Sequence, residues 1–86
     1  MTVYIIENNF LARGMANTII YLYHDKGVAI EDFKRFRRNL INSHEAELKK
    51  GKFTITADLD YLIRIRNAKG QKIKFHEEFF LTDREI

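Results

Sequence analysis

The segment Tyr61-Leu-Ile-Arg-Ile-Arg-Asn-Ala-Lys-Gly-Gln-Lys-Ile-Lys-Phe75 alternates apolar and basic residues on both sides of Asn67-Ala68-Lys69-Gly70. A period of two is that of a strand, and a turn with Gly70 in the left-handed conformation predicts a hairpin pairing Ile65 with Ile73 and Ile63 with Phe75. The same register sets Arg66 opposite Lys72 and Arg64 opposite Lys74 on the other face. Like charges directly opposite destabilise a sheet by up to roughly 1 kcal/mol per pair, so this face calls for a neutralising group. Thr54 and Thr56, from the preceding alternating run, add hydroxyl donors to it. Cations with hydroxyls suit contact with the phosphates of a nucleic acid. Phe53, Tyr61 and Phe75 fall in the apolar phase, so the basic face lacks the aromatic platforms that stack unpaired bases. Duplex is therefore the nucleic acid this face would fit.

A second basic cluster is Lys34-Arg35-Phe36-Arg37-Arg38. On a helical wheel Arg35 and Arg38 lie outside the apolar arc, where they could join the sheet face in binding phosphate. Arg37 falls inside the arc, between Phe33, Leu40, Ile41 and His44, and must snorkel, pair with a carboxylate or meet a partner. Glu77, Glu78, Asp83 and Glu85 make the C-terminal segment acidic, which offers a neutralising group within the chain or in a second copy of it. Phe79-Phe80-Leu81 either extends the last strand or docks as an apolar tail that, with Arg37, would receive a protein partner.

Other chemistry finds little footing. With no cysteine there is no thiolate nucleophile, disulfide or Cys-based zinc site, which suits a reducing, cytoplasmic setting. His24, His44 and His76 stand apart without metal-ligand spacing, and no phosphate-binding glycine loop, dinucleotide fingerprint or nucleophile elbow occurs. No catalytic residue, metal, cofactor or small-molecule substrate is expected.

The elements that would position these groups follow from periodicity. The 86 residues, with a net charge of +3, make one α+β domain over 1–86. Val3–Ile6 reads as a short N-terminal strand. Asn8 or Asn9 would cap a first helix running to about His24, with Arg13, Asn17, Tyr21 and His24 as its polar stripe, although Thr18–Tyr23 is also strand-like. Asp25-Lys26-Gly27 ends it, and an amphipathic helix follows from about Ala29 to Lys49, closed by Gly51. Phe53, Ile55, Ala57 and Leu59 then alternate with Thr54, Thr56, Asp58 and Asp60. The expected fold is two helices on one face of a three-stranded antiparallel meander, in the order β-α-α-β-β-β. The run Thr18–Tyr23 is too short to cross a membrane.

These readings predict a non-enzymatic accessory protein that binds duplex through Arg64, Arg66, Lys72, Lys74, Thr54, Thr56, Arg35 and Arg38. The alternative is a protein-interaction module, a homo-oligomer or a modulator of a larger protein, whose basic face is neutralised by acidic protein groups.

Overall fold

The structure is a computed structural model that describes residues 1–70 and 74–86. Among the described residues the elements are β1 (Thr2–Ala12), β2 (Met15–Tyr23), α1 (Lys26–Ser43), α2 (Glu45–Lys49), β3 (Phe53–Leu59), β4 (Leu62–Asn67) and β5 (Phe75–Glu85). The strands form one antiparallel sheet in the order β2-β1-β5-β4-β3. This corrects the expected three-stranded meander with two helices: the chain is α+β, but its sheet has five strands, and the predicted first helix is the hairpin β1–β2.

That segment misleads because its strands carry apolar side chains on both faces, which spreads them around a helical wheel. Ile19, Tyr21 and Tyr23 lie on one side of β2 and Ile20 and Leu22 on the other. The hairpin turns at Arg13-Gly14, two residues with φ of 53° and 77° between the paired Ala12 and Met15. Positive φ at both positions is what the type I′ hairpin turn requires. Gly14 would cost a helix about 1 kcal/mol, but the turn favours it.

From β2, on one edge of the sheet, the chain crosses one face through α1 and α2 to β3 on the other edge. Asp25 belongs to the helix and not to a stop before it: its Oδ1 accepts from the Val28 N–H at 3.0 Å, which caps α1. The expected single helix to Lys49 is broken at His44, just after Ser43 Oγ donates back to the Asn39 carbonyl at 2.7 Å, a bond that bends helices.

The core lies between α1 and the sheet. Ile6, Ile63 and Ile65 are fully buried, each contributing about 2 kcal/mol. Phe33 and Leu40 descend on them from α1. Phe36 stacks on Phe79 with centroids 4.9 Å apart, and Phe53 on Phe75 at 4.5 Å. At the polar rim Tyr23 Oη donates to Asp32 at 2.8 Å, and Arg37 makes a two-pronged contact with Asp58, Nε to Oδ1 at 2.8 Å and Nη2 to Oδ2 at 2.7 Å.

Asp58 reaches the helix because of a bulge. Pairing between β3 and β4 shifts between Ile55 and Ala57, leaving Thr56 unpaired. Before the bulge Phe53 and Ile55 share the helix side. After it Asp58 sits across from Ile63 on that side, and Ala57 and Leu59 turn to the opposite face. The expected uninterrupted alternation of β3 is thereby corrected.

Two measurements test these local arguments. Gly14→Ala keeps open space around its new Cβ yet forces alanine into φ of +77°, and should destabilise the fold by about 1 kcal/mol or more in urea unfolding. Burial, then the bond to Asp32, push the Tyr23 phenol up to about 12. Folding raises this pKa, so the associated stability is full below the ordinary tyrosine value and is lost as pH rises through about 12. Ultraviolet titration should show a phenol ionising there that disappears in Tyr23→Phe, which also loses about 1 kcal/mol at neutral pH.

Candidate interaction face

Both helices cover the same side of the sheet, so the other side is open. The registers place its residues in rows across the strands. Leu22 and Ile5 lead to Thr82. The next row runs Ile20, Glu7, Phe80, Leu62 and Leu59, and the row after it Thr18, Asn9, Glu78, Arg64 and Ala57. Ala16, Leu11, His76, Arg66 and Thr54 come last. One half of the face is therefore largely apolar and the other polar.

Glu78 organises the polar half. Its Oε1 accepts from Arg64 Nε at 2.8 Å and lies 3.2 Å from His76 Nε2, while Oε2 accepts from Asn9 Nδ2 at 2.9 Å. Asn9 accepts in turn from Thr18 Oγ1 at 2.9 Å, and Arg66 Nε donates to His76 Nδ1 at 3.1 Å. The Glu78 side chain is only 14% exposed. Burial pushes its pKa up, but the bonds from Arg64 and Asn9 and the charge of Arg64 outweigh burial and hold it below the ordinary carboxylate range.

The expected four-cation arrangement is thus revised. The β4–β5 register pairs Ile63 with Phe79, Arg64 with Glu78, Ile65 with Glu77 and Arg66 with His76. Phe75 is therefore not the partner of Ile63, nor Lys74 of Arg64. Lys72 and Ile73, expected opposite Arg66 and Ile65, lie outside the described residues. Lys74 is exposed. Thr54 shares the open face with Arg66, while Thr56 is the bulged residue.

The helix cations lie on the other side of the sheet. Arg35 pairs with Asp32 at 2.9 Å, and Arg38 is exposed on α1. Arg37, expected to meet a partner, is engaged by Asp58, and this pair lines a cleft of about 700 Å³ between α1 and the β3–β4 turn. The expected apolar tail is the middle of β5. Phe79 is a core residue at 7% exposure and Leu81 packs against the core. Only Phe80 of the three faces the open side.

The apolar half is what sequence reasoning missed. Ile20, Leu22 and Leu59 are 50%, 67% and 48% exposed, with Ile5, Leu62 and Phe80 between them. Tyr61, at 50% exposure, leans on Phe80 with centroids 6.1 Å apart. The β-branched and aromatic composition of Thr18–Tyr23, which suits a strand with two apolar faces, was the signal that could have revealed it. Among the described residues no group of histidine and carboxylate side chains is arranged to hold a metal ion, and no helix is long and apolar enough to cross a membrane.

Glu78→Gln keeps the shape of the hub and removes its charge. It should destabilise the fold by about 1–2 kcal/mol near neutral pH. Because folding lowers the Glu78 pKa, the wild-type advantage is full above the ordinary carboxylate range and vanishes as pH falls through the depressed value. Urea unfolding of both proteins across that range checks the sign. Comparison with protein families, with characterised proteins and with solved structures finds no match to this chain, so its function is argued from this face alone.

Proposed function

We propose that this chain is a non-enzymatic protein-interaction module whose open sheet face receives the apolar surface of a partner protein. The observation that carries the proposal is the partly exposed band of Ile5, Ile20, Leu22, Leu59, Leu62 and Phe80, with Glu7 set into it and the Glu78 network along its border. An apolar centre beside a rigid polar margin is the composition of a protein-binding surface. The cysteine-free chain suits a reducing cytoplasmic setting.

Duplex binding draws less support. Glu78 already holds Arg64, Asp32 holds Arg35, and the two basic clusters lie on opposite sides of the sheet, where one duplex could not meet both. What favours it is the exposure of Arg66 and Lys74.

The two readings separate in two assays. A photo-activatable phenylalanine analogue at Leu62 should form a discrete protein adduct in cells producing the full chain. The adduct should fade in the Leu59→Asp background, and the same group at Arg38 should form none. Absence of the Leu62 adduct overturns the proposal. So does duplex affinity whose logarithm falls with log salt at a slope near −4 and which Arg64→Glu/Lys74→Glu abolishes, since about five phosphates would then be engaged.

A further inference from the structure

The two edges of the sheet are unlike. β3 is blunted in the ways natural edges are: it is bulged at Thr56, carries a charged residue, Asp58, near its end, and has α2 against it. β2 has none of these defences. Met15-Ala-Asn-Thr-Ile-Ile-Tyr-Leu-Tyr23 contains no charged residue and no proline, and pairs with β1 without a register shift. A nine-residue strand of this kind is a template for another strand.

Parity shows which groups it presents. In a two-residue hairpin the residues flanking the turn exchange backbone hydrogen bonds. Met15 therefore bonds to Ala12, and Asn17, Ile19, Tyr21 and Tyr23 follow in step towards β1. Ala16, Thr18, Ile20 and Leu22 direct their N–H and C=O groups outward, and among the described residues no turn, loop or cap bond reaches them.

We infer that β2 pairs antiparallel with β2 of a second copy of this chain, so that two sheets become one. A full-length match of the strand with its twofold mate must centre on Ile19, because Met15 then meets Tyr23. In that register Ala16 pairs with Leu22 of the second copy and Thr18 with Ile20 of the second copy, so outward groups meet outward groups. No like charges oppose one another along the ribbon. Just beyond its ends the turn residue Arg13 and the α1 cap Asp25 of the second copy come to the same end of the ribbon with opposite charge, and the symmetry makes this match twice. Asp25 caps α1 through Oδ1 alone, which leaves its other oxygen for Arg13. This charge match favours a second copy over an unrelated strand. A twofold axis normal to the sheet also brings both open faces to the same side, with Ile20 and Leu22 of each copy flanking the seam.

The inference concerns the sheet edge and goes beyond the proposed face, so either can fail alone. The chain has no cysteine, so single cysteines report the register. Ile19→Cys stands at the axis in a non-hydrogen-bonded pair, where side chains approach most closely. Under mild oxidation it should give a disulfide-linked dimer, whereas Thr18→Cys should not. Sedimentation over a dilution series should show the wild type passing from dimer to monomer. Ala16→Pro deletes an outward N–H that β1 does not use, at a residue with no side-chain hydrogen bond to lose, and should abolish the dimer while circular dichroism stays unchanged.

Should that proline disturb the strand, Arg13→Asp keeps the test sharp. Asp-Gly is favoured in this turn, so the fold is retained, while the charge reversal weakens association roughly fivefold to tenfold at low salt and less at high salt. A wild type that stays monomeric throughout overturns the inference and leaves the Leu62 adduct to decide the open-face proposal. Equal disulfide formation from Ile19→Cys and Thr18→Cys overturns it too.

Discussion

The antiparallel pairing of the first strand with the last is the constraint on which the rest of this structure depends. β1 and β5, eleven residues each, run side by side from Thr2 opposite Glu85 to Ala12 opposite Phe75. Each also carries one neighbour, β2 on one side and β4 on the other. Remove this pairing and two separate ribbons remain, neither with enough apolar surface to hold a helix. With it, Ile6 from one end of the chain and Phe79 from the other share one core with Phe33 and Leu40. The contact is the most non-local available, so its loop-closure entropy opposes folding until much of the core forms. The termini are fastened accordingly: Thr2 Oγ1 donates to Glu85 at 2.6 Å and the Ile86 N–H to the Met1 carbonyl at 2.9 Å.

Strand parity converts this frame into a two-sided object. Along β5, Phe75, Phe79 and Leu81 go to the helix side, and His76, Glu78 and Phe80 to the open side. Among the described residues the bulge at Thr56 is where the phase is reset, and it exchanges an apolar edge contact for a charged one. Leu59 is released to the open face, and Asp58 is aimed at Arg37. The Arg37 and Asp58 side chains are 39% and 43% exposed, so solvent screening limits the pair to a fraction of a kcal/mol up to about 1 kcal/mol. Its role is to fix where α1 lies over the β3–β4 hairpin.

Much of this was legible in the sequence, and the errors are informative. The amphipathic stripe from Phe33 to Ile41 and the alternation from Leu62 to Arg66 match α1 and β4, because one face of each is apolar and the other is not. The β1–β2 hairpin was read as a helix because β2 is apolar on both faces, which erases the contrast that periodicity needs. The β4–β5 register differs by four residues from the one that a turn at Asn67–Gly70 implies. Lengthening a loop even twofold costs only about 0.6 kcal/mol. Moving Arg64 from opposite Lys74 to opposite Glu78 removes a repulsion and gains an attraction, each worth up to roughly 1 kcal/mol. Since four is even, the faces survived the error and only the partners changed.

The same displacement explains why the candidate site was half visible. The polar half was sought as a cation cluster because its cations are close in sequence, whereas Glu78 and Asn9 come from strands whose adjacency no local pattern reveals. Glu78 could not be left unpaired at 14% exposure, since a buried carboxylate without donors is costly. Arg64, His76 and Asn9 are therefore fixed in place by the hub they satisfy. That leaves the other half with a lighter demand: Ile20, Leu22 and Leu59 stay exposed, Glu7 stands between Ile20 and Phe80, and Tyr61 leans on Phe80. A monomer gains no stability from large apolar side chains at these positions. Their cost in exposed apolar surface is offset only when another surface removes them from water. The sheet is therefore asymmetric: one side is packed under the helices, and the other divides between the Glu78 network and an exposed apolar half.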